Sequence, residues 1–137
     1  MMRILLDTNV VLDVLLDREP HADASAAVWA AVETGRTEGM LAAHAVTTID
    51  YLLRKSLGSR KARQLLSAIL SVFRIAGVDG PVLQEALQMA VPDFEDAVTA
   101  SAARWAGCGA VVTRDPKGFR GAAVPAMTPE AARAMFS

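Results

Sequence analysis

The stretch Arg3-Ile4-Leu5-Leu6-Asp7-Thr8-Asn9-Val10 joins a short apolar run to an acid and two further residues that favour helix starts. Ile4, Leu5 and Leu6 suit a strand buried on both faces, and Asp7 ends the run. Asp, Thr and Asn all accept hydrogen bonds from free N–H groups at a helix start, so the turn through Thr8-Asn9 opens a helix over 9–16. A strand that passes directly into a helix, with an acid at the junction, reads as the first unit of an α/β protein.

Working outward, the alternation continues to the end of the chain. Apolar runs at 3–6, 40–43, 72–76 and 110–113 read as strands, with a weaker one at 124–127. Helices fill the intervals near 9–16, 22–34, 45–57, 60–70, 81–90, 94–106 and 129–135, with Gly or Pro at many of the breaks. Such alternation predicts a three-layer α/β/α sandwich around a central parallel sheet of four to five strands. Its site is expected beyond the carboxyl ends of the strands, near the switch in strand order. The 137 residues suit a single domain over 1–137 with one active site.

Composition excludes several classes. No apolar run approaches the ~18 residues that span a bilayer, and Asp7 interrupts the first apolar run too early for a signal peptide, so a cytoplasmic location without membrane contact is expected. Cys108 is the only cysteine, which rules out an internal disulfide and a thiolate metal cluster. Its surroundings, Ala106-Gly107-Cys108-Gly109, suggest small-residue packing more than a catalytic thiol. A net charge of −1 is not that of a basic nucleic-acid-binding domain, so any RNA contact must be local. Arg114 with Lys117 and Arg120 is one candidate for it; Arg54-Lys55 with Arg60-Lys61-Arg63 reads as a solvated face.

The carboxylates carry the chemistry. Asp7 follows the first strand, and Asp115 follows the strand Ala110-Val111-Val112-Thr113 in the same manner, which brings two acids to one sheet edge. Asp93 and Asp96 open the helix after Pro92 and share a side of it. Asp93 is a good N-cap, whereas Asp96 is less easily explained that way. A fourth address lies in His44-Ala45-Val46-Thr47-Thr48-Ile49-Asp50-Tyr51-Leu52-Leu53-Arg54. Val46, Ile49, Leu52, Leu53 and Leu57 form its apolar stripe, with Asp50 at one edge and Thr48 beyond the other. Asp50 either pairs with Arg54 at i+4 or joins the other acids. Carboxylates gathered in this way repel one another and raise at least one pKa unless a cation neutralises them, and Mg²⁺ with its preference for oxygen ligands is the economical choice. No His or Cys set suits zinc: His21 lies beside Pro20 in a loop, and His44 reads as a helix cap.

Taken together, Leu5-Leu6-Asp7-Thr8-Asn9-Val10, Asp93-Phe94-Glu95-Asp96-Ala97 and Val112-Thr113-Arg114-Asp115-Pro116-Lys117-Gly118-Phe119 resemble the successive signatures of PIN-domain proteins. The segment Val124-Pro125-Ala126-Met127-Thr128-Pro129-Glu130 resembles that family's usual ending. The resemblance spans nearly the whole chain and extends to VapC-type toxin ribonucleases of toxin–antitoxin systems. It implies Mg²⁺ or Mn²⁺ at the acids, endoribonuclease activity on RNA, a homodimer and a cognate antitoxin. Asp7 and Asp96 would be the principal metal ligands, Asp115 the acid of the Thr-Arg-Asp turn, and Asn9, Asp93 and Thr113 supporting residues. The sequence departs from the family pattern twice. The second acidic helix usually carries a glutamate, where this chain has Asp50 in one register and Thr48 in another. An acid commonly precedes the Phe after Asp115, where this chain has Gly118. Two other classes stay open: a non-catalytic PIN-like domain that binds RNA or protein, and, less favoured, a receiver-type domain using Asp7 as phospho-acceptor, which lacks a lysine placed after a late strand.

Overall fold

Strand β1 (Arg3–Leu6) occupies the middle of a five-stranded sheet in a computed structural model that describes residues 1–137. The other strands are β2 (Glu38–Ala42), β3 (Arg74–Ala76), β4 (Ala110–Val112) and β5 (Ala126–Met127), in the spatial order β3-β2-β1-β4-β5, and every pairing is parallel. Seven helices connect them: α1 (Thr8–Leu15), α2 (Ala22–Glu33), α3 (Ala43–Leu57), α4 (Ser59–Val72), α5 (Gly80–Gln88), α6 (Phe94–Trp105) and α7 (Pro129–Phe136). A single 3₁₀ turn, Pro116–Phe119, follows β4. The chain steps from β1 outward through β2 and β3, then returns to the other side of β1 with β4 and β5. The strand order therefore reverses between β1 and β4, where Leu6 lies beside Val112.

Successive side chains of a strand point to opposite faces, and the core divides accordingly. Ile4, Leu6, Leu41, Ala110 and Val112 pack with Val10 and Val11 of α1, Val28 of α2, Ile49 and Leu53 of α3, and Ile69 of α4. Leu5, Met40, Ala42 and Val111 face the other layer, with Val82 and Ala86 of α5 and Ala97, Val98 and Ala100 of α6. The three-layer α/β/α sandwich expected from the alternation is the fold observed. Each large aliphatic side chain fully buried in these layers contributes about 1.5–3 kcal/mol relative to an exposed one. Helix α6 is buried from Ala97 to Ala103, because its Ala, Ser and Thr side chains let its backbone lie close to the sheet.

The boundaries differ from expectation in ways that bear on the site. Helix α3 begins at Ala43, so His44 lies inside its first turn and is not a cap. His21 directly precedes α2, but its side chain makes no capping hydrogen bond. The strand expected at 72–76 starts at Arg74, because α4 persists through Val72. The Phe73 N–H still donates to the Ile69 carbonyl at 2.9 Å, and the Phe73 ring meets Trp29 edge-on with centroids 4.9 Å apart. The weak last strand is only two residues long, yet Thr113 N–H donates to the Met127 carbonyl at 2.9 Å and completes the sheet edge. No helix is long and apolar enough to cross a membrane.

Candidate active site

Asp7 stands where β1 becomes α1, and its backbone N–H donates to the Val112 carbonyl at 2.9 Å across the strand-order switch. As N-cap of α1, its Oδ1 accepts the Thr8 N–H at 2.9 Å. Its Oδ2 accepts the hydroxyl of Thr113 at 2.9 Å, and Thr113 is itself buried at the end of β4. Burial raises the Asp7 pKa, with the hydrogen bonds from Thr113 and Thr8 acting in the opposite direction. Thr113 Oγ1 also accepts the Asp115 N–H at 3.2 Å, so one hydroxyl joins the two strand-end acids.

Asp96 lies in the first turn of α6, and its N–H donates to Oδ1 of the N-cap Asp93 at 2.9 Å. A helix N-terminus favours a negative charge, which alone would lower its pKa. The opposite happens. Desolvation first, then the charges of Asp7, Asp93, Glu95 and Asp115, push the Asp96 carboxyl up to about 7. Oxygen atoms of Asp93, Glu95 and Asp96 lie within 4.8 Å of one another. The repulsion anticipated among gathered acids is thus concentrated on Asp96.

Gly118 explains how the remaining acid approaches. A Cβ added there would stand 3.2 Å from Asp115 Oδ2 and 3.4 Å from Asp96 Oδ2. The absent side chain leaves a cradle bordered by two carboxylate oxygens, the donor chemistry that a small oxygen-seeking cation such as Mg²⁺ takes. An acid at this position, as the family pattern has it, would crowd both groups.

The second-helix acid is not where the first register put it. Asp50 Oδ2 accepts from Arg54 Nε at 2.9 Å, the i+4 pair foreseen as the alternative. It lines a hollow with Val46, Thr47, Arg63, Leu66, Ser67 and Leu70, between α3 and α4. It is not among the groups that chiefly shift the Asp7 and Asp96 carboxyls. The reason is helix rotation. Thr48 is about 40° around α3 from His44 and Asp50 about 120° the other way, and His44 is the residue that reaches the acids. His44 Nε2 is 3.3 Å from Glu95 Oε1 and 3.3 Å from Thr99 Oγ1. The Thr99 hydroxyl spends its single proton on the Glu95 carbonyl at 3.0 Å, so His44 Nε2 must be the donor toward Thr99.

Of the other residues singled out, Asn9 is exposed, and its carbonyl accepts from Arg18 Nη2 at 3.2 Å. Lys117 is exposed on the 3₁₀ turn. Arg114 is only partly exposed, and its Nε lies 3.3 Å from Oδ2 of the wholly buried Asp13. Asp13 escaped notice, although an acid inside Val10-Val11-Leu12-Asp13-Val14-Leu15 was the signal that a buried partner exists. His44 and Glu95 were likewise missed as members of the site. Trp105, at the end of α6, is exposed and has the Arg104 guanidinium 5.1 Å from its ring centroid. Cys108 is buried beside Met40, and burial pushes its thiol up to about 11, which disposes of a reactive thiolate.

The sequence signature of the PIN domain matches residues 3–117. No curated protein sequence matches the chain significantly. Among solved structures, FitAcB from Neisseria gonorrhoeae is similar at 26% identity with a TM-score of 0.72, over 92% of this chain and 97% of that one. VapBC2 from Rickettsia felis, solved bound to a DNA fragment from its promoter, gives 16% identity and a TM-score of 0.74 over 93% of this chain and 98% of the other. VapC20 of Mycobacterium tuberculosis, described as a sarcin-ricin loop cleaving toxin, gives 20% identity and a TM-score of 0.64 over 79% and 86%.

Proposed function

Because the chain belongs to the PIN-domain family, we propose that it is a Mg²⁺-dependent endoribonuclease and the toxin of a toxin–antitoxin pair. The observation that carries this reading is the convergence of Asp7, Asp96 and Asp115 at the strand-order switch, with Asp96 raised to about 7 by burial first and then by its acidic neighbours. A site that holds acids against their own repulsion is built for a cation. Asp7 and Asp96 would hold it, with Asp115 beside them across the Gly118 cradle and Asp93 capping the helix that presents Asp96. When bound, Mg²⁺ supplies Lewis-acid polarisation of a phosphodiester and a water more easily deprotonated than in bulk; Mn²⁺ can serve in its place.

The chain's own residues do the rest. Thr113 fixes the orientation of Asp7 and tethers the Asp115 turn. Exposed Lys117 and Arg120 stand beside Asp115 and suit the phosphates of an RNA strand drawn into an otherwise acidic cleft. RNA as substrate is favoured by the shared fold of the VapC20 toxin, and an antitoxin partner by the fold shared with VapBC2. Exposed Tyr51, Leu57 and Leu70 on α3–α4, and Leu87 on α5, are the residue types that a second copy or an antitoxin would cover. One observation favours a second reading, in which the domain binds RNA or protein with weak or no cleavage: α3 turns Thr48, not an acid, toward the side of His44.

Purified protein should cleave structured RNA only with Mg²⁺ or Mn²⁺, and Asp7→Asn should abolish cleavage while remaining folded. Its expression alone should arrest growth in a way that Asp7→Asn relieves. Metal-independent cleavage, or equal toxicity of both proteins, would refute the nuclease reading; RNA binding without cleavage would select the second one.

A further inference from the structure

Asp13 is the only carboxylate with no solvent exposure, and it sits on the inner face of α1 among Val10, Val11 and Leu12. A charge in that setting is retained only with close partners. Its Oδ1 accepts from Arg18 Nε at 2.9 Å, which satisfies half of the carboxylate. The other half meets Arg114 as an ion pair: Oδ2 and Nε lie 3.3 Å apart, both atoms are buried, and neither has a well-directed hydrogen bond to any group, the other included.

Arg114 is flanked by the two residues that matter at the site. Thr113 before it holds Asp7, and Asp115 after it approaches Asp96 across Gly118. Asp115 enters the 3₁₀ turn with φ −126 and ψ 74: its N–H donates to Thr113 Oγ1 and its carbonyl accepts the Gly118 N–H at 3.1 Å, while its exposed carboxylate makes no hydrogen bond. The Arg114 side chain, 29% exposed, brings its buried Nε against Asp13 of α1, the helix that Asp7 caps.

We infer that Asp13 is a positioning residue that acts through Arg114, locking the Thr113-Arg114-Asp115 turn onto α1 so that Asp115 faces Asp96. The inference rests on the nuclease reading for its consequence in catalysis, and on geometry alone for the lock itself. It assigns Arg114 inward, to the acid constellation, and leaves phosphate contact to Lys117 and Arg120. Partners of this kind, one contact removed from the ligands, typically change metal affinity or activity by about 10–100-fold when lost.

The test uses the full chain and the variants Arg114→Met, Asp13→Asn and their combination, with Arg114→Lys as the conservative change. Arg114→Met, whose side chain reaches solvent, keeps the Asp13–Arg18 pair and avoids the folding risk of Asp13→Asn. The readouts are Mg²⁺ affinity by calorimetry, kcat and KM for RNA, and amide hydrogen exchange at Asp115. The lock predicts, for Arg114→Met, Mg²⁺ affinity and kcat each reduced about tenfold, KM within about twofold of wild type, and faster exchange at Asp115. The double variant should be no more than about twofold worse than Arg114→Met, because both changes remove one interaction. A raised KM with unchanged kcat would make Arg114 an RNA contact and overturn the inference. So would a lower melting temperature with Asp115 exchange, Mg²⁺ affinity and kcat all unchanged. If wild type cleaves no RNA, the nuclease reading falls, while exchange at Asp115 still decides whether Arg114 holds the turn.

Discussion

Replacing Asp96 by Asn should stabilise the metal-free protein at neutral pH, against the usual expectation that removing a site residue is neutral or harmful. The Asp96 carboxyl is raised from its ordinary 3.8 to about 7. Between those values the folded protein binds more protons at Asp96 than the unfolded chain does, so stability falls as pH rises through that window. Below it the carboxyl is neutral in both states and nothing is lost. At about 1.36 kcal/mol per pH unit the full shift would amount to roughly 4 kcal/mol. Asp96 is only partly buried, and water and salt screen its neighbours, so we take about 1–2 kcal/mol as the effect. For a chain of this length that is a rise of about 3–8 °C in melting temperature.

The assay is thermal and urea denaturation of wild type and Asp96→Asn in EDTA, from pH 4 to pH 8. The two proteins should unfold nearly together at pH 4 and diverge steadily, with the variant ahead, as the pH approaches 8. Asp7 titrates in both proteins and largely cancels from the difference. Saturating Mg²⁺ should then reverse the order at pH 8, since an ion at 100 times its Kd adds about 2.7 kcal/mol to the protein that binds it. Equal stability of the two proteins across the pH range in EDTA, or a variant less stable at pH 8, would refute the argument that repulsion and burial at Asp96 are stored in the fold.

Gly118→Ala should weaken Mg²⁺ binding by about an order of magnitude in calorimetry, because its methyl would stand 3.2 Å and 3.4 Å from two carboxylate oxygens, with little change in melting temperature. Thr113→Val removes the hydroxyl that orients Asp7 and tethers Asp115; RNA cleavage should fall about 10–100-fold, and denaturation should show a loss of about 1–2 kcal/mol. Asp50→Asn should cleave RNA at the wild-type rate and lose at most about 0.5 kcal/mol, the worth of an i,i+4 ion pair, whereas Thr48→Glu should raise cleavage by adding an acid on the His44 side of α3.

Strand-end acids are legible in sequence because a short apolar run fixes both the element and its exit. Asp7 and Asp115 were placed at one sheet edge from their local patterns, and the parallel pairing of Leu6 with Val112 puts them there. Asp96 was legible from its spacing to the cap Asp93. The rotation of α3 was not. Its apolar stripe narrows the choice to two edges, but which edge faces the sheet end depends on how α3 packs against both α4 and α1. The Glu95–His44 contact joins helices fifty residues apart and leaves no local trace. The inward partner of Arg114 was illegible for a related reason: a cation in a polar turn looks solvated unless the buried acid it answers, Asp13, is recognised first.

The same rotation bears on how the site keeps its charge without an acid from α3. The groups that raise Asp96 are Asp7, Asp93, Glu95 and Asp115, all contributed by the ends of β1 and β4 and the first turn of α6. Glu95 therefore supplies, from the neighbouring helix, part of the negative field that the resemblance assigns to a glutamate on α3. His44 Nε2 lies 3.3 Å from its carboxylate and turns its proton to the Thr99 hydroxyl. The constellation consequently keeps a strong electrostatic attraction for a cation while offering it fewer direct ligands. Such a site should capture a hydrated ion readily and hold it with more retained water than a site with an acid on α3.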